Sequence, residues 1–333
     1  MHRLRDEERG AVLMIIALLL LALVGMLVLV FDLGRVVAIR RDMVNASDAA
    51  VLAAAQQCAL GNEAKTPGVA SAAATSLISQ NDGDATLQSI QGLEDCRTPV
   101  GVAPKLLTVN STVTVDYFFA QIFGLDSGPV QTTATAQWGP VGFAKPVPIT
   151  VNNATLVGCS IPQTIPPPGQ HVDCDLSYPK DLLQEPRWGV LDLSHWNDPS
   201  AAPCHVDAAT LKALIESFGW KDLLPLNYPT ATYDCLDNGL SDAVWETIEG
   251  KTLTFPVIDV PNSTGQGCSG ADAGCQLDTA DVIGFIQLFV PIGGVEKSGS
   301  TVIIHAQWNG PTTGEGIPGT GADFGLRAVR LVR

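Results

Sequence analysis

The chain has 333 residues, with 34 acidic against 19 basic side chains and a formal net charge of −15. That balance argues against a nucleic-acid binder, which needs a basic face, and against electrostatic docking on an anionic bilayer. Only 16 % of residues are charged while 46 % are apolar, so a packed core or a partner must cover the apolar surface and extensive disorder is excluded.

A charged tail, residues 1–10, precedes an apolar run from Ala11 to Phe31 with no charge, no Pro and one Gly, Gly25. About 20 apolar residues suffice for a helix to cross the hydrocarbon core. A cleavable secretory segment has a shorter apolar region, about 7–15 residues, and ends at a small-residue cleavage site. No A-x-A-like site follows Phe31, and Ala55-Gln56-Gln57 before Cys58 is not a lipoprotein motif. Residues 11–31 are therefore expected to be a retained transmembrane helix in contact with the bilayer, a cleaved signal peptide being the alternative.

From Gly34 to Leu60 there is no Pro and no further Gly, and Ala and straight-chain residues dominate its end, which favours helix. Val36/Val37, Met43/Val44 and Ala50/Val51 recur every seven residues and predict an apolar helix-packing stripe. Arg41, Asn45 and Asp48 fall on a polar face. Two readings of the stripe stand side by side: packing on the protein's own ectodomain, or a stalk that packs against neighbouring helices in an assembly. Gly61 is placed to cap the helix.

A second Ala-rich helix is predicted over Val69–Ser79, then a turn at Asn81-Asp82-Gly83-Asp84. Strict alternation follows. Leu107, Val109, Val113, Val115 and Tyr117 alternate with Thr108, Asn110, Thr112, Thr114 and Asp116, and Val130, Ala134, Ala136 and Trp138 alternate with Gln131, Thr133, Thr135 and Gln137. Period two predicts half-buried strands. Gly139-Pro140 and the Pro-rich run Pro162–Gly169 suggest a boundary near 140–170. Beyond it the pattern predicts helices over Ala208–Phe218 and Asp242–Glu249 and strands near 252–260, 283–290, 301–308 and 326–332. The expected fold class is α+β: a tail (1–10), a transmembrane helix (11–31) running on into a juxtamembrane helix, a helical stalk with a small α+β unit (32–140), and a β-rich region with a Pro-rich lead-in (141–333).

All eight cysteines, Cys58, Cys96, Cys159, Cys174, Cys204, Cys235, Cys268 and Cys275, follow the apolar run. An even count on one side of a membrane fits an oxidising compartment and disulfides. Connectivity is open from sequence, although the spacing suggests clips between chain neighbours, including Cys268–Cys275 around the loop Asn262–Gly274.

Chemical motifs are sparse. His171, Cys174, Cys204 and His205 have the ligand types of a tetrahedral zinc site, but not the spacing of a known finger, and disulfides are the default in an exported chain. Asp234, Asp237, Asn238 and Asp242 faintly resemble a calcium loop. The EF-hand frame fails at Leu236 and Trp245, and an Asx-rich turn capping the next helix is the simpler reading. G-x-S-x-G, H-E-x-x-H and P-loop strings are absent. In Thr301–Trp308, Val302, Ile304, Ala306 and Trp308 share one face, which puts His305 on the opposite, outer one. No catalytic residue, metal site or cofactor is expected.

The string Glu8-Arg9-Gly10, the apolar run, Asp32-Leu33-Gly34-Arg35, Arg40-Arg41 and Asn45-Ala46-Ser47-Asp48-Ala49-Ala50-Val51-Leu52-Ala53-Ala54-Ala55 resembles the N-terminal module of TadG-like proteins of the tight-adherence (Flp) pilus assembly system. Phe118–Gly124 and the Thr/Ala-rich strand after it resemble the segment that often follows in such proteins. Where prepilin-processed relatives place Glu five residues after the cleaved Gly, this chain has Ile15. The positive-inside count is tied, with Arg3, Arg5 and Arg9 against Arg35, Arg40 and Arg41. The resemblance and the cysteines imply a cytoplasmic N-terminus, an extracytoplasmic bulk, pilus-assembly or surface proteins as partners, and a structural rather than enzymatic role. A membrane-anchored binding module for a surface partner or glycan, or an extracytoplasmic hydrolase, are the alternatives.

Overall fold

The computed structural model of the chain describes residues 3–81, 83–163, 165–179, 212–213, 215–216, 224–226, 245–258, 282–299 and 301–332. Helix α1 (Arg3–Leu27), a π-helical turn (Val28–Asp32) and α2 (Leu33–Ala59) form one continuous helix. Among the described residues it is the one helix long and apolar enough to cross a membrane, and its apolar stretch is not buried against protein. Residues 11–31 span about 32 Å at a rise of about 1.5 Å per residue, which matches a hydrocarbon core. The helix stops at Gly61, whose φ of +73° lets its N–H reach the Cys58 carbonyl at 3.0 Å. A left-handed glycine at this position satisfies carbonyls that the helix leaves unpaired.

The short α3 (Asn62–Lys65) leads into α4 (Val69–Asn81), which packs on α2. Strands β1 (Thr86–Gln91), β2 (Lys105–Asp116) and β3 (Ser127–Ala144) then form an antiparallel meander. One face of that sheet holds α2 and α4, and the inward positions of β2 and β3 close the core: Leu107, Val109, Val113 and Val115 meet Val130, Ala134, Ala136 and Trp138.

The chain continues through β4 (Val151–Asn152), α5 (Asn153–Gly158), β5 (Val172–Pro179), β6 (Leu224–Pro225), β7 (Lys251–Ile258), β8 (Val282–Val290), β9 (Val295–Ser298), β10 (Thr301–Trp308), β11 (Thr312–Thr313), β12 (Ile317–Pro318) and β13 (Leu326–Val332). A second sheet has the order β4-β7-β8-β10-β5, with β9 added to β10. Its core is built round Trp245, Phe255, Phe285 and Trp308. In β10, Val302, Ile304, Ala306 and Trp308 are buried, as the alternation predicts, and His305 lies on the other face.

Two strands belong to both cores. Residues 130–138 of β3 line the first core, and Val141 and Ala144 line the second. Strand β13 pairs antiparallel with β3 from Arg327↔Pro140 to Val332↔Thr135, so the first sheet runs β1-β2-β3-β13-β11. The 140 end of the boundary expected near 140–170 therefore lies inside a continuous strand. Gly139-Pro140 does not break it, because Pro140 closes the register with Arg327 rather than ending the ladder.

Of the two predicted C-terminal helices, Lys212, Ala213, Ile215, Glu216, Trp245 and Glu246 are helical. Residues 247–249 are turn, so the helix expected to reach Glu249 ends at Glu246. The rest of Ala208–Phe218 and residues 242–244 lie outside the described residues, as do the Asn262–Gly274 loop and the Asp234–Asp242 segment. The structure adds β5, whose alternation (Val172, Cys174, Leu176 and Tyr178 inward) is legible in the sequence, and β1, an exposed edge strand with no such signal.

Candidate functional site

Helix α2 turns a row of small residues inward. Ala46, Ser47, Ala50, Val51, Ala54, Ala55, Cys58 and Ala59 are buried against the sheet and α4. Small side chains let a helix backbone come close to what it packs on, and here the approach is close enough for Thr132 Oγ1 to donate to the Met43 carbonyl at 3.3 Å. At the centre three buried hydroxyls meet: Ser47 Oγ lies 2.7 Å from Ser111 Oγ and 2.7 Å from Thr132 Oγ1, and the last two are 2.9 Å apart. Ser111 and Thr132 are cross-strand partners in the β2–β3 register. Each stands at a gap in an otherwise apolar inward row, and each gap was a signal that the apolar pattern alone passes over. Mutual bonding removes the cost of burying these hydroxyls in an otherwise apolar core.

The expected stripe divides. Met43, Ala50 and Val51 are buried and Val36 packs at the edge of the same core, while Val37 (44 % exposed) and Val44 (42 % exposed) look outward. The correction has a simple cause. Adjacent positions lie about 100° apart on a helix of 3.6 residues per turn, so paired neighbours repeated every seven residues straddle two faces. Val30, Leu33, Val37 and Val44 are exposed together and continue the apolar surface of the membrane-type helix onto α2. On the polar side Arg41 and Asn45 are exposed and Asp48 is half-buried.

Each end of α2 is locked to the rest of the fold. At its start, Asp32 is 5 % exposed and accepts from the backbone N–H groups of Phe118 (2.8 Å), Phe119 (3.0 Å) and Ala120 (2.7 Å). Burial raises its pKa, but these three donors and neighbouring Arg35 outweigh that and hold the carboxyl below its ordinary value. Arg35 Nη1 donates to the Asp116 carbonyl at 2.9 Å. At the other end, Cys58 is disulfide-bonded to Cys96, and Arg327 of β13 donates to the Ala59 carbonyl while pairing with Asp323 at 2.8 Å.

Glu63, fully buried, holds the next turn. Its carboxylate accepts from Gly68 N–H (2.9 Å) and Ala70 N–H (2.9 Å), at the start of α4, and pairs with Arg97 at 3.0 Å. Burial pushes its pKa up, and the backbone donors and Arg97 push it down further, so the net shift is downward. A depressed carboxylate stabilises the fold fully above its unfolded pKa of about 4.3, and that contribution is lost as pH falls through the lower folded value. Glu63→Ala leaves the buried Ala70 N–H without its acceptor and removes the acceptor of Gly68 N–H and the buried partner of Arg97, which keeps only Glu94 at the surface. We expect it to lower stability by about 1.5–3 kcal/mol at pH 7, read from the urea midpoint, with the gap to the parent chain narrowing on acidification.

The four cysteines among the described residues form two disulfides, Cys58–Cys96 and Cys159–Cys174. Both join chain neighbours. Cys204, Cys235, Cys268 and Cys275 lie outside the described residues. Cys174 is thereby taken up in a disulfide and not free to ligate zinc, and His171 sits 3.1 Å from Gln307 Nε2 and 3.3 Å from Asp173, with Cys204 and His205 outside the described residues. His305 pairs with Asp175 at 2.7 Å and Glu296 at 3.4 Å on the outer face of the second sheet. The hydrogen bond that His305 donates to the Asp175 carboxylate does most to raise its pKa, burial opposes this, and Glu296 adds to the rise. A raised histidine stabilises fully below its unfolded pKa of about 6.5 and loses that contribution as pH rises through the folded value. A shallow groove lined by Leu52, Gln56, Thr313, Gly314 and Val329 lies between α2 and the C-terminal strands. Its polar side chains, Gln56 and Thr313, are neither a nucleophile–base pair nor a metal-ligand set.

Residues 10–57 match the family model described as "Putative Flp pilus-assembly TadE/G-like". No curated protein and no solved structure matches the chain. The matched segment is the long helix itself, from within α1 to the turn carrying Cys58. Its small-residue string, Asn45 to Ala55, supplies the inward face of α2. What the family-like string encodes physically is a helix that leaves an apolar span and docks closely on a sheet.

Proposed function

We propose that a chain with a TadE/G-like helical module acts as a single-pass membrane-anchored assembly protein of a Tad/Flp-type pilus or related surface structure. The match of residues 10–57 to a pilus-assembly family model carries the reading. The helix is anchored in the membrane through residues 11–31, its N-terminus is cytoplasmic, and the sheets stand outside the cell membrane, where two disulfides are stable. The protein works through helix and ectodomain contacts with other pilus-assembly or surface proteins, not through chemistry of its own. The available helix surface is the outward ribbon Val30, Leu33, Val37 and Val44, since the inward face is occupied by the chain's own sheet.

Val44→Asp tests this. The side chain is exposed, so the fold should tolerate the charge, but a charge forced into a packed helix interface goes uncompensated. Surface fibres counted by electron microscopy in the native host should fall sharply for Val44→Asp and stay at the parent level for Asn45→Asp, at matched protein amounts. Fibre numbers unchanged by Val44→Asp would remove this ribbon as the assembly surface.

A further inference from the structure

The loop joining β2 to β3 presents large apolar side chains to solvent at one particular level of the molecule. Phe118 is 75 %, Ile122 68 %, and Phe123 and Leu125 each 59 % exposed. The loop is not a floppy excursion. Tyr117 N–H donates to the Asp126 carbonyl at 2.9 Å across its base, residues 120–123 form a 3-10 turn, and Gly124, with φ of +78°, closes that turn. Its height is set by Asp32, the residue immediately after the apolar run, whose carboxylate binds the N–H groups of Phe118, Phe119 and Ala120. The Phe31 and Phe119 rings pack at 5.6 Å between centroids, and Phe31 is itself exposed.

We infer that this loop is a second membrane contact: Phe118, Ile122, Phe123 and Leu125 enter the interfacial zone of the leaflet in which the helix ends. The inference rests on the membrane-anchor reading of residues 11–31. Given that reading, Phe31 marks the edge of the hydrocarbon core, and groups within hydrogen-bond distance of Asp32 sit at the same depth. Apolar side chains at that depth face lipid, and aromatic residues are favoured at this boundary. The acidic residues beside the loop are Asp32, Asp116 and Asp126, with Arg35 bonded to the Asp116 carbonyl, so the contact is hydrophobic rather than a basic-patch attraction to anionic headgroups. A helix crossing the bilayer alone can rotate and tilt freely. A loop fixed to its exit point and seated in lipid on one side sets both, and so aims the sheets and the outward ribbon of α2 relative to the membrane plane.

The test uses the full chain in phosphatidylcholine nanodiscs, with nitroxide labels on Ile122→Cys, Leu20→Cys and Ile292→Cys in separate samples. The parent chain taken through the same labelling sets the background. All three positions are exposed, so the labels should not disturb the fold. Power saturation with oxygen, which partitions into lipid, and with a water-soluble nickel chelate reads the surroundings of each label. Ile122 should fall between Leu20, at mid-span, and Ile292, with an oxygen-to-nickel accessibility ratio several-fold above that at Ile292. A ratio at Ile122 equal to that at Ile292 overturns the inference while Leu20 still reports the anchor. A label at Ile122 shielded from both agents also overturns it, by showing protein over the loop. Leu20 reporting water would overturn the anchor reading and this inference with it.

Discussion

Ala50→Asp should unfold the first core, whereas Val44→Asp, on the same helix, should leave it intact. Ala50 has no exposed surface and faces the sheet among Val51, Ala54 and the inward residues of β2 and β3. Among the described residues the cluster around it is apolar, so an introduced carboxylate is either an uncompensated buried charge or must be protonated. Such a charge costs about 3–5 kcal/mol, a large share of the roughly 5–15 kcal/mol that holds a domain together. The aspartate is also larger than alanine at a position where the helix backbone lies close to the sheet, which adds strain. Val44→Asp meets water instead and should stay within about 0.5 kcal/mol of the parent. Urea unfolding of the detergent-solubilised chains, followed by near-ultraviolet circular dichroism of the buried tryptophans, Trp138 of the first core among them, separates the two. Similar midpoints for both variants would mean that α2 does not dock as described.

The second large effect is expected at the Cys58–Cys96 disulfide. It ties the last turn of α2 to the segment before β2 across 38 residues. Closing a loop of that size in the unfolded chain is worth about 4 kcal/mol in the chain-entropy treatment, against about 3 kcal/mol for a loop the size of that closed by Cys159–Cys174. Cys58→Ala with Cys96→Ala should therefore lower the urea midpoint more than Cys159→Ala with Cys174→Ala. Alkylation of the denatured, unreduced parent chain should modify none of these four sulfurs, as read by mass measurement of peptides. A labelled Cys58 or Cys96 in the parent chain would break the argument at its first step.

Much of this architecture is legible in local patterns. The uncharged run to Phe31, the helix that continues to the turn at Gly61, and the alternation of Leu107–Val115, Val130–Trp138 and Val302–Trp308 are properties of neighbouring residues, and each became the element its period implies. Strand β1 escaped because an edge strand with both faces largely wet has no burial to record in its sequence. The hydroxyls of Ser47, Ser111 and Thr132 were visible only as interruptions, since polarity reads as outward-facing until the partner that satisfies it is known.

The sequence by itself thus determined that this chain has one long apolar helix, a small-residue face beyond it and strands of period two, because these depend on spacing along one element. Tertiary structure decided which way that helix faces. Val44 and Met43 are neighbours of similar apolarity, and only the position of the sheet makes one a surface residue and the other core. It also decided that the last strand returns to β3, across some 190 residues, and that Asp32 finds its donors 86 to 88 residues away. Such pairings reflect which distant groups satisfy one another's hydrogen bonds and bury one another's surface. That is a property of the assembled chain, and no local period carries it.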